Sequence, residues 1–349
     1  MYDVLLEKIC RQLELGTLTA PPGPLSGGYL HKMYSLFTWK GRYAVKLLNP
    51  HIMRRETALE NYRRAERLER ILEENQIPIV PALDFGGKKM QETCGQFFYL
   101  YQWYEGRALR PEEIRVFHCT QMGGLLARIH GLDTGEEAGA MQDNTADAAW
   151  EVLTDWDHYM ELLSGKNREL CLLMKENLSL LYEVQEKGNQ AARKLSPVRA
   201  ICHNDLDNKN VLWRGEDCRI IDLECLDYGN PFLELYDTAL YWSGIELCHI
   251  DYCMLGVFVR AYAEAGGRLP EDWEVLYHSS LGRLEWLEYN VRRALGMECS
   301  EEEVEIGISQ VRHTMAQIIY YHEAKEYILN CLGQAEDVRT CHIPHRCQI

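Results

Sequence analysis

The hydrophobic period of this chain changes once, near residue 104, and that change limits the folds open to it. Before it, 42–48 (RYAVKLL) and 96–103 (QFFYLYQW) are β-branched and aromatic, and 29–38 alternates loosely. All three read as strands. Between the second and third lies 51–75, with Leu59, Tyr62, Ala65, Leu68 and Leu72 at helical spacing and Pro78 and Pro81 closing it. A short amphipathic helix over 2–15 and a Pro- and Gly-rich loop over 17–28 precede these elements. After Glu105-Gly106 the spacing predicts helices over 110–130, 146–163, 167–195, 232–243, 251–265, 273–295 and 300–332. One β-rich island, 200–226, interrupts them. The class is α+β: a small β-rich lobe over 1–104 with a hinge at its end, and a larger, mainly helical lobe over 105–349. The 349 residues suffice for about two domains.

Charge narrows the partners. Lys and Arg total 37 against 53 Asp and Glu, a net charge of −16. A surface this acidic repels phosphate backbones and anionic lipid, so neither nucleic acid nor a membrane surface is an expected partner. No stretch reaches the ~18 uncharged apolar residues of a membrane span, and Asp3 and Glu7 argue against a secretory signal. The 13 cysteines are scattered, without a CxxC, which suggests a reducing, cytoplasmic compartment. Four possible zinc ligands crowd the tail (Cys341, His342, His345, Cys347), but their spacing suits a frayed terminus better. The acidic run 301–305 follows Ser300, and Ser300 with Glu303 makes a capping box.

The island carries the chemistry. It reads His203-Asn204-Asp205-Leu206-Asp207-Asn208-Lys209-Asn210, and about a dozen residues later Ile220-Ile221-Asp222-Leu223-Glu224. Phosphoryl transfer needs one carboxylate beside the attacking hydroxyl, and a second carboxylate with an amide oxygen to hold Mg²⁺ on the phosphates. Asp205 suits the first role, Asn210 and Asp222 the second. Turn formation alone would explain any one of these residues but not the joined H-x-D-x4-N and apolar-apolar-D pattern.

With that pattern in hand, the chain resembles the aminoglycoside phosphotransferase / choline kinase family, small-molecule relatives of protein kinases with a bilobal fold. PLSGGYLHKMY resembles its phosphate-covering loop, RYAVKLL the strand with the nucleotide lysine, LYQWYEG the inter-lobe hinge, GGLLARIHGLD the first large helix, and LDYGNPFLELYD the run after the metal aspartate. The resemblance implies that Asp205 accepts the substrate proton and that Asn210 and Asp222 ligate Mg²⁺. It implies that Lys46 contacts the phosphates of ATP, that Ser26, Gly27 and Gly28 cover them with backbone N–H groups, and that Gln102 and Tyr104 hydrogen-bond adenine. His203 would pack under the catalytic loop, and Glu234 would brace it. In the family a helix glutamate pairs with the lysine. Counting back from Leu72 reaches Ala65, so the neighbouring Glu66 is the choice, with Glu60 and Glu69 as rivals.

The expected activity is ATP-Mg²⁺-dependent O-phosphorylation of a small, amine-bearing molecule such as an aminoglycoside or amino sugar. Alternatives are a choline- or ethanolamine-type kinase, a homoserine or sugar kinase, and a catalytically silent relative with a binding or structural role. Glu285, Trp286, Glu288 and Tyr289 set carboxylates beside aromatics on one predicted helix, which suits an ammonium group. The alternative is that the rings are core and the glutamates pair with Arg283 and Arg292. Oligomeric state is open.

Overall fold

The computed structural model describes residues 2–25, 31–132, 151–297 and 299–336. Their contacts divide the chain into two units. One joins 1–112 to 201–227, and the other joins 113–200 to 228–349. The β island therefore belongs with the N-terminal sheet, not with the helices that flank it in sequence.

The first unit contains helices α1 (Tyr2–Gln12), α2 (Pro50–Met53) and α3 (Ala58–Glu74), and strands β1 (Gly23–Leu25), β2 (Lys32–Thr38), β3 (Gly41–Leu47), β4 (Gln91–Thr93), β5 (Gln96–Gln102), β6 (Arg107–Ala108), β7 (Val211–Arg214) and β8 (Asp217–Ile220). Five strands form an antiparallel sheet in the order β1-β2-β3-β5-β4. Side chains on a strand alternate between faces, and this alternation builds the unit. Tyr43, Val45 and Leu47 of β3, with Phe98 and Leu100 of β5, pack on Leu6, Ile9 and Cys10 of α1. Burial of each large apolar side chain stabilises by roughly 1.5–3 kcal/mol. The opposite face packs Tyr99 against Leu48, Tyr62 of α3 and Ala82. Lys46, between Val45 and Leu47, therefore points away from the α1 core. In the register it sits opposite Met33 and Tyr99.

A second sheet has the order β6-β7-β8. Its last strand is tied to the segment after α3. The Ile220 N–H donates to Pro78 O at 2.8 Å, and Val80 N–H donates to Ile220 O at 2.8 Å. The residues after Ile220 thus leave from a fixed point.

The second unit is helical: α4 (Val116–His130), α5 (Trp156–Ser164), α6 (Arg168–Glu176), α7 (Leu178–Ala192), α8 (Pro231–Trp242), α9 (Tyr252–Glu264), α10 (Trp273–Ser279), α11 (Gly282–Ala294), α12 (Glu301–Glu323) and α13 (Lys325–Glu336). Its core includes Trp156, Leu170, Met174, Leu181, Leu284, Leu287, Val291 and Met315. Gly123 lets α4 cross α9 closely, because a Cβ there would lie 2.3 Å from Phe258 O. Three expected helices are each broken in two. Asn177 turns its side-chain amide onto Leu173 O at 2.8 Å and ends α6. Ser280 leaves helical geometry (ψ 74°) and donates its hydroxyl to Asp237 at 2.5 Å. Ala324 separates α12 from α13. The Ser300–Glu303 capping box is present, with Ser300 N–H donating to Glu303 Oε2 at 2.7 Å. No described helix is long and apolar enough to cross a membrane. The Cys/His tail lies outside the described residues.

Candidate active site

Strand alternation places Lys46 on the sheet face away from α1, where it is only 4% exposed. A buried ammonium needs paired charge, and two carboxylates supply it. Lys46 Nζ lies 2.6 Å from Asp222 Oδ1 and 2.6 Å from Glu224 Oε2. Burial alone would lower the lysine's pKa, but Asp222 and Glu224 outweigh it and hold the group above its ordinary value. The reciprocal effect acts on Asp222. Burial raises its pKa, Lys46 outweighs that, and the carboxyl lies below its ordinary value.

Asp222 follows the pinned end of β8. Its backbone is left-handed (φ 63°, ψ 53°), a conformation uncommon for a non-glycine residue. His203 is 1% exposed and sits 3.1 Å, through Nε2, from the carbonyl of Ile221. It therefore holds the residue just before Asp222.

The residues of the loop 205–210 are arranged around Asp205. Asn210 Nδ2 donates to the Asp205 backbone oxygen and to its Oδ2, both at 2.8 Å. Lys209 Nζ lies 3.4 Å from Asp205 Oδ1 and 2.5 Å from Asp207 Oδ2. Asp207 also accepts from Lys209 N–H at 3.0 Å, and Asn208 Nδ2 donates to Leu109 O at 2.6 Å. The Asn210 carbonyl takes the Ile221 N–H at 2.9 Å, which joins this loop to the approach of Asp222. The Asp205 side chain stays 40% exposed. The loop is fixed from beneath while its carboxylate faces solvent.

The expected pairing of Lys46 with Glu66 is corrected. Glu66 accepts from Met90 N–H at 2.9 Å and from the Tyr99 hydroxyl at 3.0 Å. Ala65 lies on the buried face of α3, as counted, but Glu66 is one residue, about 100°, further round. Of its rivals, Glu60 is exposed, and Glu69 pairs with the buried Lys89 at 3.0 Å and accepts from Ala82 N–H at 2.6 Å. Helix α3 reaches the Asp222 segment by another route: Arg64 Nη1 contacts both Asp227 carboxylate oxygens at 3.0 Å.

At the expected hinge, Gln102 Nε2 donates to Arg42 O at 3.0 Å, and the Tyr104 carbonyl accepts from Gly106 N–H at 3.0 Å. Arg214 and Arg219 lie over the Tyr104 ring. Ser26, Gly27 and Gly28 lie outside the described residues.

In the second unit, Trp286 and Tyr289 stack with centroids 5.4 Å apart and planes at 26°. Tyr289 is 37% exposed. Glu288 accepts from the Tyr159 hydroxyl at 2.9 Å and the Thr154 hydroxyl at 2.5 Å. Both donors are neutral hydroxyls, and the Arg292 guanidinium also acts on the Tyr159 hydroxyl. Arg293 lies 5.4 Å from the Tyr289 centroid. Glu285, beside them on α11, is half-buried. Glu234 meets His130 Nε2 at 2.7 Å, and His130 Nδ1 meets the Tyr262 hydroxyl at 2.9 Å.

Sequence reasoning missed Lys209, Glu224 and His31. All three stand inside the motifs that drew attention, but only three-dimensional contact shows their partners.

A model of the Phosphotransferase enzyme family matches residues 23–277. No curated protein sequence matches the chain. Among solved structures, spectinomycin phosphotransferase in complex with ADP and spectinomycin is similar, with a TM-score of 0.61 and 14% identity over 95% of this chain and 98% of its own. Amicoumacin kinase, in complex with AMP-PNP and Ca²⁺, gives 0.56 and 13% over 89% and 92%. A choline/ethanolamine kinase family protein from Mesorhizobium loti gives 0.55 and 15% over 95% and 99%. At such identities the likeness shows the fold, which is kinase-like: an antiparallel sheet in the N-terminal region and a mostly helical remainder.

Proposed function

The chain belongs to the phosphotransferase enzyme family, and we propose that it transfers the γ-phosphoryl group of ATP to a hydroxyl of a small, amine-bearing molecule. One observation carries this reading. Lys46, Asp222, Asn210 and Asp205, drawn from positions up to 176 apart, belong to one unit, joined by the Lys46–Asp222 ion pair and the Asn210–Asp205 bonds. The nucleotides in the spectinomycin phosphotransferase and amicoumacin kinase structures support ATP as donor.

The residues fit a hard divalent cation. Asn210 commits its amide nitrogen to Asp205, which leaves its side-chain oxygen as the atom able to ligate a cation. Lys46 keeps Asp222 ionised. An all-oxygen donor set of this kind suits Mg²⁺. When bound, Mg²⁺ would neutralise charge on the β- and γ-phosphoryl oxygens.

In the transfer itself, the acceptor oxygen bonds to the γ-phosphorus as the bond from that phosphorus to the β–γ bridging oxygen breaks. Asp205 orients the hydroxyl and takes its proton, and ADP leaves. Lys46 binds the phosphates from a position set by Asp222 and Glu224. Lys209 and Asn210 hold Asp205 in place. Electrostatics and positioning carry the rate.

For the acceptor, the half-exposed Trp286–Tyr289 ledge with the Glu288 carboxylate beside it favours an ammonium group. The net charge of −16 favours cationic substrates generally. We also infer a cytoplasmic enzyme, on the scattered free thiols. The test is a coupled ADP-release screen over aminoglycosides, amino sugars, choline, ethanolamine and homoserine. Release with an amine-bearing alcohol is expected. Release only with neutral sugars would refute the amine reading, and silence across the panel with ATP bound would favour a catalytically silent relative.

A further inference from the structure

Lys46 has no glutamate partner on α3, yet it is buried and held at both sides. The structure shows what replaces the helix glutamate. Glu224 Oε2 takes Lys46 at 2.6 Å, and Glu224 Oε1 lies 2.9 Å from His31 Nε2. His31 is 6% exposed and stands just before β2. Its Nδ1 accepts from the backbone N–H of Asn49 at 2.9 Å. That bond leaves no proton on Nδ1, so the ring proton sits on Nε2, the nitrogen 2.9 Å from Glu224 Oε1. The Tyr62 hydroxyl of α3 lies 3.4 Å from the same Nε2.

We propose that His31 is a positioning residue for nucleotide binding: it fixes Glu224, and Glu224 in turn fixes Lys46. The inference rests on reading this unit as a nucleotide site. The reasoning is geometric. Glu224 stands in a short turn after Asp222 and could rotate away from Lys46 without a second contact. His31 supplies that contact, and the Asn49 N–H sets the ring's tautomer and angle. Asn49 is also the cap of α2, accepting from His51 N–H at 2.9 Å. The backbone that orients His31 is therefore itself held.

Two substitutions separate this role from a merely structural one. Gln at position 31 can place an N–H near Nε2 and still reach Glu224, but it gives up the ring acceptor facing Asn49. Asn can keep an acceptor near Nδ1 for the Asn49 N–H, but it is too short to reach Glu224. The experiment titrates the full chain with Mg-AMP-PNP by calorimetry and records urea unfolding without nucleotide. Wild type should bind. His31→Asn should weaken binding roughly tenfold, the scale of one hydrogen bond to a charged group. His31→Gln should restore most of that loss. The double variant His31→Asn/Glu224→Gln should bind no more weakly than Glu224→Gln alone, because both changes break one chain of contacts. The proposal is overturned if His31→Gln binds as poorly as His31→Asn, if the double variant shows additive losses, or if binding losses follow unfolding midpoints across the set. A wild type that does not bind Mg-AMP-PNP removes the nucleotide reading itself, and this inference with it.

Discussion

Replacing Lys46 by Met keeps the buried alkyl stem and deletes the charge, which isolates the electrostatic role of the triad. Lys46 is 5% exposed at its side chain, Glu224 13% and Asp222 33%. Removing one partner of a buried ion pair costs about 3–5 kcal/mol. Asp222 is a third exposed, so solvent screens part of this, and about 2–3 kcal/mol is expected at neutral pH. For a chain of this size that is a fall in Tm of roughly 3–4 °C. The pH dependence is diagnostic. In wild type, the lowered Asp222 pKa gives stability that is present above the ordinary carboxylate value and lost as pH falls through the lowered one. The raised Lys46 pKa gives stability that is present below the ordinary lysine value and lost as pH rises through the raised one. Between those limits the wild-type pair contributes a constant amount. In Lys46→Met, the largest opposing charge is gone, and burial pushes the Asp222 carboxyl up against only the weaker influence of His203 and His31. The deficit then sets in as pH rises above the ordinary carboxylate range. Thermal melts of both proteins from about pH 7 to about pH 4 should show the Tm gap closing as the solution is acidified. A gap that ignores pH, or a variant as stable as wild type at neutral pH, would refute the assignment of this triad as a mutually stabilising set.

Asp205→Asn should lower turnover by about 10²–10⁴-fold while leaving Mg-AMP-PNP affinity within about twofold, measured by ADP release and calorimetry. Glu66→Gln should leave nucleotide affinity unchanged and cost at most about 1 kcal/mol in urea unfolding, because its partners are Met90 and Tyr99; a tenfold loss of affinity would reinstate it as the lysine's partner. Trp286→Ala should raise the acceptor KM roughly tenfold and spare the KM for ATP, and an equal rise in both would remove the aromatic ledge from the acceptor site.

The sequence was most legible where chemistry forces residues into short, fixed spacing. His203, Asp205, Asn210 and Asp222 could be singled out as one set, which the contacts bring together, because each loop holds its carboxylate or amide at a set distance along the chain. Lys46 could be picked out because a charge inside an apolar strand has to be paired. Its partners could not be read, since Glu224 is 178 residues away and α3 offered several glutamates nearer in sequence. The error at Glu66 was one of angle: the helix was counted correctly, but adjacent positions point about 100° apart. The helix breaks at Asn177 and Ala324 carry no Pro or Gly, and the Gly282 beside Ser280 is itself helical as the first residue of α11, so periodicity runs straight through them. What ends two of those helices is a side chain bonding elsewhere, Asn177 onto Leu173 O and Ser280 onto Asp237.

The grouping of 201–227 with 1–112 also bears on how the protein is made. Lys46 leaves the ribosome well before Asp222 and Glu224, with 175 residues between it and the first of them. At about 5–20 residues per second, the sheet carrying an unpaired ammonium waits on the order of 10–30 s for its carboxylates. During that interval the nascent N-terminal segment has its α1 core available but lacks the charges that let Lys46 be buried. Synthesis stopped before residue 222 should therefore leave an N-terminal fragment more sensitive to protease than one released after residue 227, which makes the order of translation a constraint on how this site closes.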